Sequence, residues 1–64
     1  SNMERYQVHS NYGAAIFTNE DDAIAALWLL GPYHDIEIDR KTVKKALEHT
    51  GYYEALSLSI IKGY

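Results

Sequence analysis

The sequence predicts a small α+β domain, in which a single sheet of three to four strands carries two helices on one face. Three segments alternate apolar and polar residues, as half-buried strands do. Two further segments begin with helix-capping residues and end at glycine. The chain has 64 residues without a linker or repeat, which indicates one domain over residues 3–64. A winged-helix arrangement is the alternative fold.

The first two strands are predicted to pair as a hairpin. Residues 4–10 alternate, so that Tyr6 and Val8 share one face. A turn at residues 11–13 separates them from a second short strand over residues 14–18.

The first helix is predicted to run to about Leu30. Thr18 or Asn19 can cap its free N–H groups, and the acidic residues 20–22 complement the positive end of its dipole. The Gly-Pro pair at residues 31–32 ends it, with glycine free to adopt the left-handed cap.

The remaining order is short strand, helix, strand. Residues 34–39 alternate and predict a short strand or an extended connector. Asp39 can cap a second helix that continues to about His49 and closes at Gly51. Residues 52–61 alternate as one strand, in which Leu56, Leu58 and Ile60 share a face. The second helix is expected to turn inward Val43, Ala46, Leu47 and Thr50.

The first helix is apolar on every side between Ala23 and Leu30. A helix without a polar face must be covered from more than one direction, and a chain this short has little with which to cover it. Because cysteine is absent, no disulfide can stabilise the domain. We therefore expect self-association, as a homodimer. The predicted interface residues are Ala25, Trp28, Leu29 and Tyr33.

These features predict a non-enzymatic binding or accessory module that self-associates and binds another protein. Such chains are common among accessory proteins of bacteria and their phages, an expectation that rests on analogy. We expect no cofactor and no membrane partner, since no apolar run approaches the ~18 residues that span a bilayer. A cytoplasmic location fits the absence of cysteine. Ser1 and Asn2 precede Met3 and are interpreted as a remnant of tag cleavage.

A nucleic-acid-binding function is the first alternative. Four of the six cationic residues lie in the second helix: Arg40, Lys41, Lys44 and Lys45. Residues 39–47 resemble the recognition helix of helix-turn-helix proteins, and the resemblance implies phosphate and base contacts from this helix. The preceding residues 31–38 depart from that family, whose turn is shorter. The net charge of −3 also disfavours attraction to phosphate.

A small enzyme is the second alternative. His34 beside Asp35 could hold a catalytic imidazole in one tautomer, and Glu37 with Asp39 could act as a carboxylate pair. No cysteine is present, and no serine or threonine lies in a nucleophile motif. The spacing of the three histidines matches no metal-ligand signature, and no metal is expected. A chain of this size also has little room for a substrate pocket.

Overall fold

The computed structural model describes residues 4–63. It confirms an α+β fold with a four-stranded antiparallel sheet and two helices. The interpretation of Ser1 and Asn2 lies outside the described residues. The strands are β1 (Tyr6–Ser10), β2 (Gly13–Phe17), β3 (Tyr52–Ala55) and β4 (Leu58–Lys62), in the spatial order β2-β1-β4-β3. The helices are α1 (Glu20–Leu30) and α2 (Arg40–His49), and a short 3₁₀ helix spans Gly31–His34.

One face of the sheet forms the core. The central strands β1 and β4 pair with Val8 opposite Ile60, and both side chains are buried. The predicted alternation in β1 is confirmed, because Tyr6 lies on the same buried face as Val8. The helices cover this face with apolar residues that are almost fully buried: Ala23, Ile24 and Leu27 of α1 and Val43 and Leu47 of α2.

Each helix begins at the residue type that the sequence predicts. The Asn19 side chain, and not Thr18, caps α1 by accepting a hydrogen bond from the Asp22 N–H at 3.0 Å. Asp39 caps α2 by accepting from both the Thr42 N–H at 3.1 Å and the Thr42 hydroxyl at 2.6 Å. Both hydrogen bonds lower the pKa of Asp39 below its ordinary value, and the bond from the Thr42 hydroxyl has the larger effect.

The end of α1 differs from the expectation. Gly31 does not adopt the left-handed cap but stays helical at φ −50°, and the chain continues into the 3₁₀ helix before Asp35 turns left-handed at φ 56°. The buried Gly31 is needed for another reason, because an added Cβ would overlap the Ile36 carbonyl oxygen. The Gly31 carbonyl also accepts a hydrogen bond from the Ile36 N–H at 2.9 Å.

Of the predicted residues 34–39, His34 ends the 3₁₀ helix and Asp35 is left-handed, so the extended connector comprises residues 36–39, and it is not a strand. Its alternation is real, since Ile36 and Ile38 are buried while Glu37 is exposed. A strand requires a hydrogen-bonded neighbour, and the four-stranded sheet described here does not include this segment. The two isoleucines therefore anchor the connector by apolar burial.

The C-terminal segment forms a hairpin where the sequence suggested one strand. Leu56 adopts φ 55° in the turn between β3 and β4 and is 83% exposed, so the expectation that it shares a strand face with the buried Leu58 and Ile60 is wrong. Ala55 pairs with Leu58 across the hairpin. The two-residue turn moves the core-facing positions from Tyr53 and Ala55 to Leu58 and Ile60, and the exposed Leu56 hides this shift because it continues the apolar alternation in the sequence.

Thr50 is exposed, contrary to the expectation that it faces inward. Its hydroxyl lies 2.9 Å from the Ala46 carbonyl oxygen and 3.0 Å from that of Tyr52, so it joins the end of α2 to β3. Gly51 closes the helix as predicted, with φ 77°.

We expect Gly31→Ala to lower the free energy of unfolding by about 1–3 kcal/mol, because the methyl group must displace the Ile36 backbone. Urea unfolding followed by circular dichroism measures this change. Pro32→Ala at the exposed neighbour is the control and should cost less. Equal midpoints for the Gly31 variant and the wild type would contradict the packing described here.

The lowered pKa of Asp39 predicts a pH-dependent contribution to stability. The contribution is fully present above the ordinary aspartate pKa and is lost as the pH falls through the lower pKa of the folded state. Asp39→Asn retains a capping side chain but does not titrate. The difference in urea midpoint between wild type and this variant should therefore change as the pH falls through the acidic range. A difference that is constant with pH would count against the prediction.

Candidate functional site

The most prominent apolar surface lies on one flank of α1. Trp28 and Leu29 are 42% and 60% exposed, whereas the preceding Leu27 is completely buried. Ala25, one helical turn earlier, is half-buried. The structure thus places three of the four predicted interface residues on one flank. They are exposed because the sheet and α2 contact other sides of the helix.

A shallow groove of about 240 Å³ extends this flank beyond the helix. We use the name Trp28 surface for the residues that line it: Trp28, Leu29, Pro32, Ile36, Glu37 and Ile38. Tyr33 is 82% exposed but does not line the groove, so it lies outside the surface as defined here. Sequence reasoning missed the connector isoleucines as part of this surface, although their alternation was visible.

Two charges of opposite sign stand at the rim of the Trp28 surface. The Arg40 guanidinium lies over the Trp28 ring, with its central carbon 4.6 Å from the ring centroid, which is a cation–π contact. Glu37 is exposed in the connector, three residues earlier. The surface therefore combines an apolar centre with one acid and one base.

The predicted nucleic-acid-binding cations are only partly available. Arg40 rests on Trp28, and the Lys44 Nζ lies 3.0 Å from a Glu20 carboxylate oxygen and 3.8 Å from one of Asp21. The hydrogen bond and charge of Glu20 raise the pKa of Lys44. Lys41 and Lys45 are exposed and form no salt bridge within residues 4–63. Of the four cationic residues predicted to form a basic surface, only Lys41 and Lys45 are thus available to contact phosphate.

The histidines lie on separate elements. The half-buried His34 packs its ring 5.5 Å from that of Tyr12, and its Nδ1 lies 3.5 Å from the Ser57 hydroxyl oxygen. Asp35 is exposed and shares no hydrogen bond with His34 in the described part of the chain. The histidine–aspartate pair considered for catalysis is therefore not brought together.

Among residues 4–63, no cluster of three or more histidine, cysteine, aspartate or glutamate side chains could hold a metal ion. His9 belongs to β1 and His49 ends α2, far from His34 in the chain. Of the proposed carboxylate pair, Asp39 is engaged in capping α2. None of the helices described is both long and apolar enough to cross a membrane.

A second groove, also about 240 Å³, lies on the opposite flank of α1. We call it the β2–α1 groove. Ala26 and Leu30 of α1 line one side, and β1, β2 and the turn between them line the other through Val8, Ser10, Tyr12, Gly13, Ala14, Ala15 and Phe17. Sequence reasoning missed this groove because it requires β2 to be the edge strand, and strand order is not visible in the sequence. The uncharged run from residue 13 to 17 was the available signal.

Comparisons of the chain with protein-family models, with characterised proteins and with solved structures found no match. The geometry and chemistry of the two surfaces are therefore the available indications of function.

The contact between Arg40 and Trp28 predicts a fluorescence effect, since Trp28 is the only tryptophan. Arg40→Ala should uncover the ring and increase the quenching of tryptophan fluorescence by acrylamide. Lys41→Ala, at the next residue of α2, should leave quenching unchanged. Identical quenching in the two variants would show that the guanidinium does not cover the ring in solution.

Proposed function

We propose that the chain is a small binding module that forms a homodimer through the Trp28 surface. The observation that carries this proposal is the exposure of Trp28 and Leu29 beside the groove that Ile36 and Ile38 line. Contiguous exposed apolar surface with a polar rim is typical of protein interfaces. Tryptophan and arginine are also the residue types most enriched among those that dominate binding energy.

The rim charges favour a second copy as the occupant. In a two-fold dimer the same patch meets itself, so a contact from one residue to a second residue of the partner is repeated in the opposite direction. A patch that holds both Glu37 and Arg40 can then pair the acid of each copy with the base of the other. Nucleic acid, which is uniformly negative, would meet an unfavourable Glu37 here.

The size of the domain supports the same conclusion. The isolated chain exposes 4517 Å² of surface. A standard interface covers about 800 Å² on each partner, which is a little under a fifth of this area. Apolar burial of this kind stabilises small domains that have neither a disulfide nor a large core. We also propose a cytoplasmic location, which the absence of cysteine supports.

Sedimentation velocity tests the dimer with a matched pair of leucine variants. We expect the wild type to be dimeric at about 100 μM and Leu29→Glu to be monomeric, because a buried, unpaired carboxylate costs several kcal/mol. Leu56→Glu is the control, since Leu56 is even more exposed but lies in the β3–β4 turn. Circular dichroism confirms that each variant is folded.

A monomeric wild type would contradict the proposal, as would equal dissociation of both variants. Charge reversal adds a separate test. Glu37→Arg and Arg40→Glu should each weaken the dimer, and the double variant should recover part of the loss because the acid–base pairing is restored in reverse. Losses that simply add would show that the two side chains do not meet across the interface.

A further inference from the structure

We infer that β2 binds an extended segment of a partner protein, which adds to the sheet as a further strand and places apolar side chains in the β2–α1 groove. This site lies on the flank of α1 opposite the Trp28 surface and does not depend on dimer formation. It supplies the protein-binding function that self-association alone does not explain.

The first observation is the unprotected edge of the sheet. Among residues 4–63, β2 pairs with β1 on one side only, so alternate backbone N–H and C=O groups along its other side have no strand partner there. Natural edge strands are usually protected by charges, proline or bulges. The strand Gly13–Phe17 has no charge or proline, and its pairing with β1 is regular throughout. The opposite edge strand β3, in contrast, carries the exposed Glu54.

The second observation is the groove beside that edge. Because side chains alternate along a strand, every second residue of an added strand would face the groove between β2 and α1. Its walls combine the small side chains of Ala15 and Ala26 with the half-buried Phe17 and Leu30. The small residues leave space, and the large ones supply apolar contact. Large apolar side chains at alternate positions of the segment therefore fit this site.

The third observation is a charge at one end of the groove. Asp22 lies one helical turn before Ala26, in the same row of α1. Asp22 does not line the groove itself, but it belongs to the first turn of α1, which follows the Phe17 end of β2 after two residues of connecting chain. Asp22 is exposed and forms no salt bridge among residues 4–63. A lysine or arginine at the corresponding end of the segment would complement it.

A second copy of the chain fits this site less well than a foreign segment. If β2 paired with the β2 of another copy, the side chains facing the groove would be Gly13, Ala15 and Phe17. Two of these three are too small to fill it. Each copy also carries a net charge of −3, which adds repulsion.

Fluorescence anisotropy with a panel of labelled peptides tests the proposal. Each peptide is about nine residues long, with valine, isoleucine, leucine or phenylalanine at alternate positions, threonine between them and lysine at one end or the other. We expect the best peptides to bind with Kd below about 1 mM. Matched peptides with proline in place of two threonines should bind at least about tenfold more weakly, because proline cannot donate a backbone hydrogen bond.

Two pairs of protein variants locate the site. Ala15→Gln fills the groove and should weaken binding about tenfold, whereas Ile16→Gln, on the other face of the same strand and outside the groove lining, should change it less than about twofold. Asp22→Lys should weaken binding of the peptides whose lysine lies at the Phe17 end. Asp21→Lys is its control, because Asp21 points to the other flank of α1. Urea midpoints verify that all four variants are folded.

Three outcomes would overturn the inference. They are the absence of any peptide that binds with Kd below about 1 mM, equal effects of the Ala15 and Ile16 variants, and dissociation of a dimer by Ala15→Gln without peptide, which would make a second copy the occupant. Retention of peptide binding by Leu29→Glu would support a site separate from the Trp28 surface. Because sedimentation tests the dimer and anisotropy tests the groove, failure of one proposal is distinguishable from failure of the other.

Discussion

The pairing of β1 with β4 is the interaction on which the rest of the structure depends. It joins the N-terminal hairpin to the C-terminal hairpin and brings Val8 against Ile60 on the buried face. Both helices lie between these strands in the chain, so their apolar residues gain a common core only when the pairing has formed. Pairing over such a sequence distance has a cost in loop-closure entropy, which the burial of apolar surface offsets.

This central pairing also explains why α1 is apolar on every side. The row of α1 around Leu27 packs on β1 and β4 and is fully buried. On one flank, Trp28 faces the connector and the start of α2, while on the other flank Ala26 faces the edge strand β2. The apolar residues of α1 therefore face three different places: the core, the Trp28 surface on one flank and the β2–α1 groove on the other. The hypothesis of one extra interface accounted for only one of the two exposed flanks.

Local chemistry made most of the fold predictable. The caps at Asn19 and Asp39 and the alternation in β1 depend on neighbouring residues, and the sequence displays them directly. The errors have a different origin. Leu56 is an exposed apolar residue in a turn and imitates a continuing strand in the sequence, and Gly31 is required by the close approach of the Ile36 backbone. Strand order and the contact of Arg40 with Trp28 depend on packing between distant segments, so one sequence does not reveal them.

For the same reason, one of the two candidate surfaces could be predicted from the sequence and the other could not. The exposure of Trp28 and Leu29 was predictable because the lack of a polar face on α1 can be recognised from the residues of that helix alone. The β2–α1 groove exists only because β1 accepts β4 on its other side and leaves β2 at the edge. The two helices cover one face of the sheet, and the part of the chain that the structure describes holds no further helix or strand beside that edge. The unprotected edge is therefore a consequence of the fold itself, and the uncharged sequence of β2 makes that edge suitable for a partner strand.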